Sequence, residues 1–128
     1  MESEAIDRKL TARQRDYLLL TVFVLARHHY IDRALTLVEG LLALGEDDED
    51  ILFAQVILNF LQGECSDALS GLDKLMQRDA NATSAGRPQE KQVVQLYLRA
   101  RCYCATGRRH EGEAIARRLT SYHTKEPA

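Results

Sequence analysis

Residues 28–35 read HHYIDRAL, and residues 62–69, thirty-four places on, read QGECSDAL. Both stretches interrupt an apolar run and resume on an Ala-Leu pair, Ala34-Leu35 and Ala68-Leu69. A chain that turns twice at one fixed interval is built from a repeated unit, and that decides the architecture before any single element does. Thirty-four residues accommodate a helix, a tight turn, an antiparallel second helix and a connection. The register extends well beyond the turn. Sliding the chain by this period places Leu18 on Leu52, Val22 on Val56, Ala34 on Ala68, Val38 on Leu72 and Leu41 on Leu75, all apolar pairs.

A third copy of the turn stands at ATGRRHEG (105–112), reached by adding ten residues, the size of the loop-like DANATSAGRP (79–88). Leu96, Ala100, Tyr103, Gly112, Ala116 and Leu119 then occupy the repeated positions. The small residue of the second helix is Ala34, then Ala68, then Gly112, which is what a close approach of two helices requires. This pattern resembles the tetratricopeptide repeat over about residues 13–120, without the Trp that opens such a repeat or the Pro that closes it. The expected fold is all-α: three helical hairpins, at about 12–45, 47–78 and 88–122, stacked as a short right-handed superhelix in a single domain of residues 1–128.

Local signals place the helices. Thr11 and Gln14 form a capping-box pattern, so a first helix is expected over 12–28. A turn at 29–31 leads to a second helix over 32–44, closed by Gly45. The acidic GEDDED (45–50) suits the N-terminus of a third helix, over 50–61, and reads as capping charge rather than a metal site. Gly63 turns the chain into a fourth helix over 66–78. Pro88 suits a first helical position, and a fifth helix over 88–106, Gly107 and a sixth helix over 110–122 complete the chain before the tail HTKEPA. No segment alternates as a strand does.

Composition excludes several function classes. The 128 residues, with a formal net charge of −2, provide no global field for nucleic acid or an acidic membrane. The longest apolar run, YLLLTVFVLA (17–26), is too short to cross a bilayer, and MESEAIDRK has no signal-peptide character, so cytosolic residence is expected. Three cysteines do not suit a disulfide framework, and Cys102 and Cys104, two apart on a helix, face different directions. His28, His29, His110 and His123 have no Cys or acid at a ligand or triad spacing, and no glycine-rich phosphate loop is present. No enzyme activity and no cofactor are expected. RRH (108–110) and ARR (116–118) make a modest basic patch that reads as a solvated face.

One face breaks the pattern of a free-standing scaffold. The first helix of each hairpin presents a second side, expected to carry Leu19, Leu20, Phe23, Ala26 and Arg27 in helix one. Phe53, Ala54, Ile57, Phe60 and Leu61 take those places in helix three, and Val94, Tyr97, Leu98, Arg101, Cys104 and Ala105 in helix five. Helices one and three are thus apolar almost all round, which implies burial on more than one side. An open face of this kind exceeds the few hundred Å² of contiguous apolar surface that soluble monomers tolerate. It calls for an amphipathic helix of a partner, or for cover by the chain's own N-terminus or sixth helix, or for self-association.

The stretch KLTARQRDYLLL (9–20) resembles the opening of the YscY-type (SctY) chaperones of bacterial type III secretion. Leu10, Thr11, Arg13, Gln14, Tyr17, Leu18, Leu19 and Leu20 match that family's Leu-Thr-x-Arg-Gln, aromatic residue and Leu run. The chain departs from the family in the insertion at 79–88 and in the acidic linker at 45–50. The resemblance implies a small cytosolic chaperone that holds a YscX-type (SctX) early export substrate and helps present it to the export gate. Leu19, Leu20, Phe23, Arg27, Phe53, Ile57, Phe60, Leu61, Val94, Tyr97, Leu98 and Arg101 would line the groove, the two arginines pairing with partner carboxylates or remaining rim charges. Two other readings stand beside it: a chaperone of the type III needle subunit, and a generic repeat scaffold gripping a peptide C-terminus. The second would need Lys, Arg and Asn in the groove, where this chain has mostly Leu, Phe and Ile.

Overall fold

The structure, a computed structural model, describes residues 10–46, 48–79 and 90–124. All regular structure among them is helical: α1 Ala12–Arg27, α2 Ile31–Ala43, α3 Glu49–Leu61, α4 Cys65–Asp79, α5 Glu90–Ala105 and α6 Arg109–Thr124. Each helix end falls within two residues of its sequence-based expectation where it lies among the described residues. The opening MESEAIDRK, the loop at 80–88 with Pro88, and the last four residues of the tail lie outside them. No described helix is long and apolar enough to cross a membrane.

The ends have identifiable causes. At the start of α1 the Gln14 backbone N–H donates to Thr11 Oγ1 (3.1 Å) and the Thr11 N–H donates to Gln14 Oε1 (3.0 Å), a reciprocal capping box. Asp48 caps α3 through Oδ1, which accepts from the Ile51 N–H at 3.1 Å, while its Oδ2 takes Arg15 Nη1 of α1 at 3.0 Å. One carboxylate of the acidic linker thus starts one helix and ties it to another.

The turn inferred from HHYIDRAL recurs in the backbone. His29, Gly63 and Gly107 stand 34 and then 44 residues apart and share a left-handed conformation, with φ of 69°, 81° and 85°. At the end of α1 the Tyr30 N–H donates to Leu25 O (2.8 Å) and the His29 N–H to Ala26 O (3.0 Å), closing the helix in a Schellman motif. At the end of α5 the Arg108 N–H likewise donates to Tyr103 O at 2.7 Å. A similar closure ends α2, where the Glu46 and Gly45 N–H groups donate to Leu41 O and Leu42 O.

The chain forms two compact units that divide between Gln62 and Gly63, inside the second sequence repeat. In the first, α1, α2 and α3 enclose Val22, Ala34, Val38, Leu41, Ile51, Ala54 and Leu58. Ala34, Val38 and Leu41 share one face of α2, and Ile51, Ala54 and Leu58 one face of α3, at helical spacing. Burying each large side chain stabilises the unit by roughly 1.5–3 kcal/mol. Gln62 Nε2 donates to Asp32 Oδ1 and holds the end of α3 to the start of α2.

In the second unit α5 packs on both α4 and α6. Ala68, Leu72 and Leu75 of α4 and Leu98, Ala100 and Cys102 of α5 are buried. Arg99 of α5, largely buried itself, donates from Nη1 to Asp73 Oδ1 of α4 (2.9 Å) and to Tyr103 Oη (3.1 Å). Burial opposes the charge on Arg99, but the hydrogen bonds to Tyr103 and Asp73 more than offset it and raise the pKa. Arg108 lies 4.2 Å from the centroid of the Tyr103 ring and grips Glu111 through two nitrogens.

The repeated apolar positions are core positions. Val22 and Val56, Ala34 and Ala68, Val38 and Leu72, and Leu41 and Leu75 are all buried; so is Leu52, and Leu18 is half-buried. In the third copy Ala100 and Gly112 are buried, Leu96, Tyr103 and Leu119 half-buried, and Ala116 exposed.

Candidate partner-binding surface

The first unit carries the candidate surface mainly on α1. That helix turns Val22 into the core, with Leu18, Leu25 and Ala26 beside it. At 100° per residue the opposite side of the helix carries Arg13, Tyr17, Leu20, Val24 and Arg27, spaced four, three, four and three. All five are exposed, Tyr17 at 69 % and Leu20 at 60 %. Phe23, on the flank of this stripe, is exposed at 46 %. The heptad-like spacing makes one continuous apolar strip that an arginine closes at each end. Close to its start, Leu10, Arg13, Gln14, Tyr17 and Leu18 line a surface cleft of about 400 Å³, so five residues of the KLTARQRDYLLL motif surround one hollow.

The groove residues expected on α1 and α3 divide between surface and core. Leu20, Phe23 and Arg27 are exposed, whereas Leu19 is half-buried and packs on the core cluster. On α3, Leu61 is exposed at 54 %, and Phe53, Ile57 and Phe60 are half-buried. Ala54, placed by sequence on the same side, is enclosed in the core. Tyr17 and Val24 are additions: they are exposed at 69 % and 48 %, and sequence reasoning left them out of the groove. Their signal was the four-three spacing from Arg13 to Arg27.

In the second unit Val94, Tyr97 and Arg101 of α5 are exposed, whereas Leu98 is only 6 % exposed and belongs to the interior. Tyr97 and Arg101 are one turn apart and act as a pair. The Arg101 guanidinium donates to Tyr97 Oη at 2.7 Å and stands 5.7 Å from the ring centroid. Such a pair holds a phenol and a cation in fixed positions on the surface.

His28, His29 and His110 are exposed, and among the described residues no three His, Cys, Asp or Glu side chains gather to hold a metal ion. The surface can bury apolar area and present cations to an acidic group. No protein family model, no curated protein and no solved structure matches this chain.

Proposed function

We propose that this protein is a cytosolic chaperone of bacterial type III secretion, of the YscY (SctY) kind, built as a short superhelix of three tetratricopeptide-like hairpins. It binds and stabilises a small YscX-type (SctX) early export substrate and helps present it to the export gate. The observation that carries the reading is the exposed strip on α1, where the large apolar side chains Tyr17, Leu20, Phe23 and Val24 lie together at 46–69 % exposure. The KLTARQRDYLLL motif adds support, since five of its residues surround the cleft beside that strip.

The occupant is an amphipathic helical segment of the substrate. Arg13 and Arg27 lie fourteen residues apart, about 21 Å along the helix, and have no partner among the described residues. A docked helix with carboxylates near both ends and an apolar seam between them would satisfy both. Arg13 and Arg27 also weigh against antiparallel pairing of α1 with a second copy of itself, which would bring each arginine opposite the other.

Co-expression with a YscX-like protein, followed by size-exclusion chromatography with light scattering, tests the reading. A complex of defined stoichiometry that is lost on Leu20→Asp would support it. A monodisperse monomer that ignores the candidate would overturn it.

A further inference from the structure

The cleft beside the start of α1 has a chemistry of its own. Its volume of about 400 Å³ is at the small end of ligand clefts and suits one or two residues rather than a whole helix. Leu10 and Leu18, both half-buried, form its apolar part. The other three lining residues bring hydrogen-bond donors. Arg13, Gln14 and Tyr17 stand at positions i, i+1 and i+4 and so share one side of α1. The Arg13 guanidinium and the Tyr17 hydroxyl have no partner among the described residues. Gln14 Oε1 accepts from the Thr11 N–H at 3.0 Å, which fixes the amide and leaves its NH2 group unengaged. No acid lines the cleft, and the neighbouring Asp16 is already 3.6 Å from Arg15.

We propose that this cleft binds the C-terminal residue of a peptide, with its apolar side chain against Leu10 and Leu18 and its terminal carboxylate on Arg13, Gln14 and Tyr17. An apolar side chain and a carboxylate leave the same α-carbon only at a chain terminus; an internal acid needs a second residue to supply the apolar group. One small hollow with donors on one side and leucines on the other fits the terminus. Capture of a carboxylate needs cationic and amide side chains, which the strip from Tyr17 to Val24 lacks and which Arg13 and Gln14 provide here. The positive end of the α1 dipole lies on the same side. A helix that ends in the cleft runs antiparallel to α1, so its earlier turns lie over Leu20 and Val24. The inference deepens the docking proposed above by naming what meets Arg13, and rests on that reading for the identity of the partner alone.

The test titrates the full chain, labelled with nitrogen-15, with three synthetic peptides and follows the amide resonances of residues 10–18. The first is acetyl-Ala-Leu-Phe with a free carboxylate, the second its C-terminal amide, and the third acetyl-Ala-Glu-Phe amide, which carries its carboxylate on a side chain. The free acid should shift these resonances and bind about tenfold tighter than either amide. Arg13→Gln should remove that preference, whereas Arg33→Gln, the same change of charge on α2, should retain it. Circular dichroism checks that both variants remain helical; Tyr17→Ala, altered at another exposed position, repeats the comparison should Arg13→Gln not fold. Equal binding of acid and amide would overturn the proposal. So would equal binding of the Glu peptide, which assigns the cleft to side-chain carboxylates, or no shift up to about 10 mM, where a weak fragment of this size still registers. The peptides contain no part of a YscX-like protein, so a chain that ignores them yet forms the co-expressed complex overturns this inference and leaves the chaperone reading standing.

Discussion

Gly112 of α6 lies so close to α5 that a Cβ placed on it would stand 2.6 Å from Cys104 Sγ and 2.8 Å from the Ala100 carbonyl oxygen. The sulfur can rotate away, but the carbonyl is part of the α5 backbone and cannot. In the earlier repeats the equivalent position tolerates an alanine, fully buried at Ala34 and at Ala68. The crossing of α5 and α6 leaves no room for a Cβ at this position, which is why its small residue has no side chain at all. Gly112→Ala gains up to about 1 kcal/mol of helix propensity. It loses more than that by forcing α6 away from α5, about 1–3 kcal/mol for an overpacked core position. The net expectation is destabilisation, read as a lower urea midpoint. An unchanged or higher midpoint would mean that the two helices separate freely.

His29 holds a left-handed conformation, with φ of 69°, where the later repeats have Gly63 and Gly107. An L side chain in that region is strained, although histidine tolerates it better than most residues. His29→Gly should therefore stabilise the chain, by roughly 0.5–1 kcal/mol. His29→Val should destabilise it, because a β-branched side chain suits this backbone least. Thermal denaturation of the three proteins checks the order, and a valine variant as stable as wild type would contradict it.

Cys102 makes stability depend on alkaline pH. Burial, with a smaller contribution from the neighbouring Cys65 thiol, raises its pKa from 9.0 to about 11. Between those values the folded chain retains a proton that the unfolded chain has released, so stability falls as pH rises through the window and is fully present below it. The loss amounts to roughly 1–2 kcal/mol. Tyrosines and lysines titrate in the same range, so the informative quantity is the difference between wild type and Cys102→Ala, measured by urea denaturation with reductant present. The alanine variant should be weaker at pH 8 through lost packing, yet should lose less stability between pH 9 and 11. Parallel curves for the two would contradict this origin of the slope.

The repeat was the most legible feature of this chain, because a turn, a small residue and an apolar pattern each report the same interval. The recurrence of left-handed backbone at His29, Gly63 and Gly107 and the burial of Val22, Val56, Ala34 and Ala68 follow from it directly. The Thr11–Gln14 capping box was legible for a different reason: both halves of that interaction lie within four residues. Orientation within the apolar helices was harder to read. Where Leu18, Leu19 and Leu20 follow one another, no polar residue among them marks the solvent side, and Leu20 meets water on a face it shares with the distant Arg13 and Arg27 while Leu19 rests on the core. Leu98 shows the same difficulty on α5, where Tyr97 takes the surface and Leu98 the interior.

That division between surface and core sets the most discriminating test of the binding surface. Leu20 and Leu61 are more than half exposed, so an aspartate at either position remains hydrated and should leave helicity and the unfolding midpoint within about 0.5 kcal/mol of wild type. Phe53 and Ile57 are half-buried, and aspartate there strands a charge against apolar neighbours, with an expected loss of about 2 kcal/mol or more. A partner docked along α1 should thus be lost on Leu20→Asp in a chain that remains fully folded, whereas loss on Phe53→Asp would be inseparable from destabilisation. Arg13→Glu combined with Arg27→Glu adds the electrostatic arm. Binding to an acidic-ended helix should weaken by more than tenfold at low salt and by less at high salt, where exposed charges are screened. Circular dichroism, urea denaturation and titration calorimetry on the same four proteins separate the outcomes. Full binding by a folded Leu20→Asp variant would remove α1 from the interface.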